Sequence, residues 1–322
     1  MKKNILITGG CGFIGSNLAN DLAQIGCKIY VLDDLSVGSA KNLNKSKNIF
    51  LIKKNINRIS NLKINKKIDC CIHLAAKAEI TIDKSKEKQY FDDNIAGLQS
   101  VLKFCSEQKI KNFIFASSAS VYGDTKNKNV KENFKLNPLH YYAYTKYIGE
   151  KIVQNYSRLN NMSFYILRFF NVYGNKSNAV VAKFIAQFLQ KKKITIYGDG
   201  EQSRDFIHVT DVIDAIKMLI NKNIKSDIFN IGSSKSYKIN LLKDLITKSK
   251  NYIHLDKRFD DIEISISNIN KIKNILGWKP KINFEKGINK IIEEDKNRLI
   301  KKKIEKITNQ INSIKKFNKK NK

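Results

Sequence analysis

The chain has 322 residues, 42% of them hydrophobic, with 60 Lys and Arg against 29 Asp and Glu for a net charge of +31. That length buries enough core for one large domain, or one domain with a smaller lobe, and the apolar content excludes a disordered chain. No apolar run approaches the roughly 20 residues of a membrane helix, no signal peptide is expected, and the five cysteines and four histidines lack metal-ligand spacing, so the expectation is a reduced, cytoplasmic protein with no metal and no membrane span.

The positive charge would attract anions such as nucleic acid, acidic lipid or a sugar diphosphate. Lys, Asn and Ile are enriched together and the lysines lack interleaved aromatics, which reads as solvated surface lysine rather than a specific nucleic-acid site.

In chain order, the first predicted element is a strand at Asn4–Thr8, which runs into Gly9-Gly10-Cys11-Gly12-Phe13-Ile14-Gly15 and a helix over 13–25. Gly10, Gly12 and Gly15 fit G-x-G-x-x-G. Without Cβ atoms such a turn tightens, its backbone approaches a pyrophosphate, and the helix N-terminus offers free N–H groups. The next strand, 28–32, leads into Asp33-Asp34. An acid about 20 residues past the loop accepts from a ribose 2′-hydroxyl and repels a 2′-phosphate, which predicts NAD over NADP with Asp33 as the ribose ligand. The plainer reading of Asp33 is a turn acid at a strand end.

Strands are predicted at 49–52, 69–74 and 112–116, with a helix at 92–108 before the last. The strand at 112–116 empties into Ser117-Ser118-Ala119-Ser120, a hydroxyl-rich turn at the sheet edge that faces ligand in parallel sheets. Ser118 could hydrogen-bond a reacting oxygen with help from Ser120; strand capping is the alternative. A helix over 141–160 carries Tyr142 and Lys146 on one face. Holding a tyrosine of pKa about 10 ionised at pH 7 costs about 4 kcal/mol, which a nearby ammonium offsets, giving a general base for an alcohol proton.

After a strand at 163–167 the alternation loosens into a helix at 180–192, a glycine turn at 198–200, and a segment at 229–231 expected to return to the sheet. The pattern predicts an α/β, doubly wound parallel sheet over 1–170 with right-handed crossovers and a smaller C-terminal lobe over 171–298. A basic amphipathic tail over 299–322 carries isoleucines at 300, 304, 307, 311 and 314. It reads as a helix on the body or frayed, with a coiled-coil seam or an anionic-membrane contact as open alternatives.

TGGCGFIGS at 8–16, LDDLSVG at 32–38, HLAA at 73–76, DNIAG at 93–97, SSASVYGD at 117–124, YAYTK at 142–146, RFFNVYG at 168–174 and GDGEQSRDFIHV at 198–209 stand in order, extending to LGWKP at 276–280. This set resembles the extended short-chain dehydrogenase/reductase family and its Rossmann fold, above all its NAD-dependent sugar-nucleotide epimerases, the UDP-glucose and UDP-N-acetylglucosamine 4-epimerases. The resemblance implies an NAD site of Gly9, Gly12, Phe13, Ile14, Gly15, Asp33, Asn55, Ile56, Ala75 and Asn94 together with Tyr142 and Lys146. It implies Tyr142 as catalytic base, Lys146 on the nicotinamide ribose lowering the Tyr142 pKa, and Ser118 bridging to the sugar hydroxyl beside Ser120. Asn171, Arg204, Arg258, Asp261 and Ser265 would hold the nucleotide sugar. A homodimer through the Tyr142 helix and its neighbour is also implied.

Three positions depart from the family pattern. Asn55-Ile56 replaces Asp-Ile or Asp-Val beside the adenine, Phe259-Asp260 replaces Pro-Gly within the late Arg-x-x-Asp motif, and the basic tail has no counterpart. Family members that dehydrate sugars carry an acid where Ser120 stands, which favours C4 epimerisation through a 4-keto sugar. Dehydratase, decarboxylase or reductase chemistry on a nucleotide sugar, or a non-catalytic nucleotide sensor, remain as alternatives. A small residue at 265 would leave room for a 2-acetamido group.

Overall fold

The computed structural model describes residues 2–79, 84–126, 128–222, 224–257 and 262–320, with the backbone alone at 84, 302, 306, 307 and 311–320. Runs of Ile, Leu, Val and Phe form seven parallel strands: β1 (Asn4–Thr8), β2 (Lys28–Asp33), β3 (Ile49–Lys53), β4 (Cys70–His73), β5 (Asn112–Ser118), β6 (Ser163–Phe169) and β7 (Asp227–Ile231). Their order is β7-β6-β5-β4-β1-β2-β3, the doubly wound Rossmann arrangement. Successive residues of β1 serve opposite faces, as a period of two requires. Ile5 and Ile7 join a core with helix α1 (Phe13–Gln24) and with Val212 and Ile216, while Leu6 joins a second core with Val101, Leu102 and Val153. Covering both faces explains why the strands read as nearly continuous apolar runs.

The second face is covered by two helices. Helix α2 runs through Glu87–Phe91, Asp92–Ala96 and Gly97–Glu107, the middle segment in π-helical geometry, so it begins earlier than the predicted 92–108. Helix α3 (Tyr141–Leu159) matches expectation within one residue. Helix α4 (Val180–Leu189) is shorter than predicted, and α5 (Val209–Asn221), α6 (Ile239–Ile246) and α7 (Asn270–Leu276) have no counterpart among the predicted elements. The last described helix, α8, is a single element over Phe284–Lys320.

A separate apolar cluster holds the lobe together: Phe184 and Ile185 of α4, Leu242 of α6 and Ile288 of α8 around Phe206. There Phe284 stacks on Phe206 at 5.0 Å and on Tyr237 at 4.4 Å, close enough for aromatic geometry to add to simple burial. The lobe is tied back to the sheet through α5, whose Asp211 carboxylate accepts the Lys281 and Ile282 N–H groups while its carbonyl accepts from the Trp278 indole. Those three bonds anchor the LGWKP segment and the residues that follow it. The strand order reverses between β1 and β4, which opens a crevice above their C-terminal ends.

Candidate active site

At that crevice, β1 leads directly into the glycine loop. A Cβ on Gly15 would lie 2.3 Å from the Gly9 carbonyl oxygen, and one on Gly9 would lie 2.6 Å from the Ala75 nitrogen, so both positions are sterically closed to any other residue. Gly9 also has φ of 69°, the left-handed region that favours glycine. Gly12 is different: its Cβ would meet only the Gly9 oxygen, at 3.3 Å, leaving its outer side open. Gly12 occupies the N-cap of α1 with no side-chain hydrogen bond, so the helix start at Phe13 and Ile14 offers its N–H groups outward. This cradle fits a dinucleotide pyrophosphate.

Asp33 ends β2 beside the loop and is buried. Its carboxylate accepts from the Cys11 and Leu35 N–H groups, each at 2.8 Å, which fixes its orientation. One lone pair on each oxygen remains for a ribose hydroxyl. Just past β3, Asn55 donates to Asp34 at 2.8 Å and accepts from the Asn57 N–H at 2.9 Å, capping a short 3₁₀ turn. Ile56 packs against Gly97 of α2, where a Cβ would meet its Cδ1 at 2.5 Å. Asn94 sits in the π-helical segment of α2 and is buried. It receives the Lys77 N–H at 2.8 Å and donates to the Lys77 carbonyl and the Thr145 hydroxyl, so its side chain ties the segment after β4 to α3.

The catalytic candidates converge where β5 meets α3. Ser118 is the last residue of β5, and its hydroxyl accepts from Ser120 Oγ at 2.9 Å. Tyr142 lies in the first turn of α3, hydrogen-bonded to Ser118, and burial pushes its phenol up to about 12 against the pull of that bond. His140 caps the helix by accepting the Ala143 N–H, and its ring stacks on Tyr142 with centroids 6.1 Å apart. Lys146 is buried one turn on, where burial brings its ammonium down to about 7 against the pull of Glu150. Its Nζ donates to the Ala116 carbonyl at 2.7 Å and stands 5.8 Å from the Tyr142 ring centroid. Desolvation thus drives both groups toward neutrality, which differs from the expected lowering of the tyrosine pKa. The largest cause is burial of the phenol, and the Lys146 ammonium is directed at a backbone carbonyl.

Beneath this pair lies a network that sequence reasoning did not single out. Glu150, fully buried, accepts from Ser117 Oγ at 2.5 Å and takes Arg168 bidentately at 2.9 and 2.7 Å. Arg168 also donates to Tyr122, which donates to Asn230 of β7. Strands β5, β6 and β7 and helix α3 are thereby locked together behind Ser118 and Lys146. Residues 142, 146 and 150 share one helical face, and that spacing was the signal available for Glu150.

Among the residues expected to hold the substrate, Asn171 pairs with Phe206, and its amide donates to the Asp205 carbonyl at 3.3 Å. Arg204 directs its guanidinium to the carbonyls of Ser203 and Ile262 at 2.8 and 2.7 Å. The Ser265 N–H donates to the Ser203 carbonyl at 3.2 Å, beside a strand bridge from Ser203 to Ile264, and this brings the buried Ser265 close to the Arg204 backbone. Asp205, fully buried, gathers the region: its carboxylate accepts from the backbone and hydroxyl of both Ser233 and Ser267 and from the Ser234 N–H. Burial raises its pKa against the pull of those donors. Arg258 and Asp261 lie outside the described residues.

The model of the NAD dependent epimerase/dehydratase family matches residues 5–232. Among curated relatives, UDP-glucose 4-epimerase of Lactobacillus helveticus is 30% identical over 307 residues, covering 86% of this chain and 92% of its own. Among solved structures, UDP-N-acetylglucosamine 4-epimerase from Methanobrevibacter ruminantium, in complex with UDP-N-acetylmuramic acid, superposes with a TM-score of 0.87 at 32% identity, over 92% of this chain and 100% of that one. UDP-glucose 4-epimerase from Thermotoga maritima, with UDP-glucose, gives 0.85 at 30% identity over 92% and 99%. Dehydratases and decarboxylases match as well. With the glycine cradle, the buried acid ending β2 and the Ser-Tyr-Lys cluster built on a seven-stranded Rossmann sheet, the chain belongs to the NAD dependent epimerase/dehydratase family.

Proposed function

We propose that this protein is a nucleotide-sugar 4-epimerase acting on a UDP-hexose or UDP-N-acetylhexosamine through a 4-keto sugar. The observation that carries this reading is the hydroxyl-only edge of β5, where Ser118 joins Ser120 and Tyr142, with serine at the position that needs an acid for dehydration. Residues 1–170 would bind the cofactor, and 171–298 would bind the sugar nucleotide.

NAD, when bound, supplies the hydride acceptor and donor. Phe13 and Ile14 at the start of α1 would hold the pyrophosphate, Asp33 the adenine ribose, and Asn55 and Ile56 the adenine edge. Ala75 and Asn94 would shape the wall beside the nicotinamide half. Lys146 would hold the nicotinamide ribose. As the phenolate, Tyr142 would take the C4 hydroxyl proton while Ser118 orients that hydroxyl by hydrogen bond; Lys146, moved from the Ala116 carbonyl to the nicotinamide ribose, would offset the desolvation that holds the phenol protonated. Asn171, Arg204, Arg258 and Asp261 would grip the nucleotide diphosphate, and the small Ser265 would admit an acetamido group.

We place the enzyme in the cytoplasm, in keeping with five free thiols. A homodimer through α2 and α3 is our reading of its assembly, supported by Tyr144, 47% exposed on α3 beside Phe91. Proton NMR of UDP-galactose and UDP-N-acetylgalactosamine, each incubated with the protein and NAD, tests the function. Appearance of the gluco epimer is the expected result; both sugars returning unchanged would overturn it.

A further inference from the structure

Helix α8 changes character along its length. Phe284, Ile288, Ile291 and Ile292 are buried in the lobe. Beyond them Leu299, Ile300 and Ile304 are 40, 55 and 57% exposed. At 3.6 residues per turn these three share one side, and the sequence continues the spacing with isoleucines at 307, 311 and 314. Residues 299–320 carry eight lysines and a single acid, Glu305.

That combination of stripe and charge discriminates among partners. Nucleic acid would neutralise the lysines but leave the isoleucines in water. A second copy of the helix would bury the isoleucines but set eight lysines near eight others, with one acid on each side to relieve them. An anionic lipid surface satisfies both: the apolar side enters the acyl boundary while the ammonium groups lie among the headgroups. We propose that residues 299–320 form a surface helix by which this protein lies on anionic membranes. Among the described residues no helix is long and apolar enough to cross a membrane, so the attachment is peripheral.

Flotation of the full chain with vesicles of phosphatidylcholine and phosphatidylglycerol in equal parts tests this, with pure phosphatidylcholine vesicles alongside. The chain is expected to float with the anionic vesicles alone. Ile300→Asp with Ile304→Asp should abolish flotation, while Lys301→Gln, Lys302→Gln and Lys303→Gln together should weaken it about a hundredfold, about fivefold per cation. Both variants should keep the parent's cooperative melt in circular dichroism, which separates lost binding from lost folding. Three results would overturn the proposal: no flotation of the parent chain, flotation undiminished in the isoleucine variant, which would assign binding to diffuse charge, or a parent dimer in sedimentation that dissociates in that variant.

Discussion

The glycine loop and the region around Asp205, proposed to hold the cofactor and the substrate, are built in opposite ways. The loop is one contiguous stretch, and sterics dictate it: a Cβ at Gly15 would meet backbone at 2.3 Å, and a single acid 22 residues past Cys11 closes the ring by accepting the Cys11 N–H. The second region is assembled from strand pairs of two or three residues, Asn171–Tyr173 with Phe206–His208 and Ser203–Arg204 with Tyr237–Lys238, held by one buried carboxylate, Asp205. Rigid local geometry suits a cofactor whose pyrophosphate is invariant. A surface made of short, separately anchored segments would let a substrate pocket vary while the sheet stays fixed.

Tyr142 stands between the two regions, and Tyr142→Phe is expected to have the largest effect, a fall of about 10³-fold in kcat. NAD should still bind in calorimetry; retained turnover would remove Tyr142 from the chemistry. Gly15→Ala attacks the loop itself. Because the obstructing atoms are backbone, it should lower stability by about 1–3 kcal/mol in denaturant titration and weaken NAD binding.

Ser267→Ala probes the other construction, since its hydroxyl donates to Asp205 at 2.5 Å. A loss of about 1–2 kcal/mol is expected, together with a raised KM for the sugar nucleotide and unchanged NAD affinity. A loss of NAD binding instead would show that the two regions are not independent.

A pH dependence probes the junction between the two regions. Burial brings Lys146 from 10.5 to about 7 in the folded protein. Across that window the unfolded chain holds a proton that the folded chain has released, so stability rises with pH. Lys146→Met should flatten that rise in Tm; an unchanged profile would mean that Lys146 keeps its proton when folded.

How much of this was legible in the sequence follows from the range of the forces involved. The glycine loop, the strand periodicity and the Tyr142–Lys146 spacing are local, and local sterics and helical geometry determined them. The same helical spacing was available for Glu150 but went unused, and its partners Ser117 and Arg168 come from two different strands. Helices α5, α6 and α7 went unpredicted although α5 and α6 are amphipathic, Asp211 stands in the first turn of α5 and α7 ends at Gly277 in the left-handed conformation; those local signals were there to be read. Only the tertiary structure decided that Asp205 would collect Ser233, Ser234 and Ser267, and that Lys146 would turn to the Ala116 carbonyl. Those choices are made among many serines, amides and carbonyls of equal hydrogen-bonding capacity, and packing alone selects which of them meet.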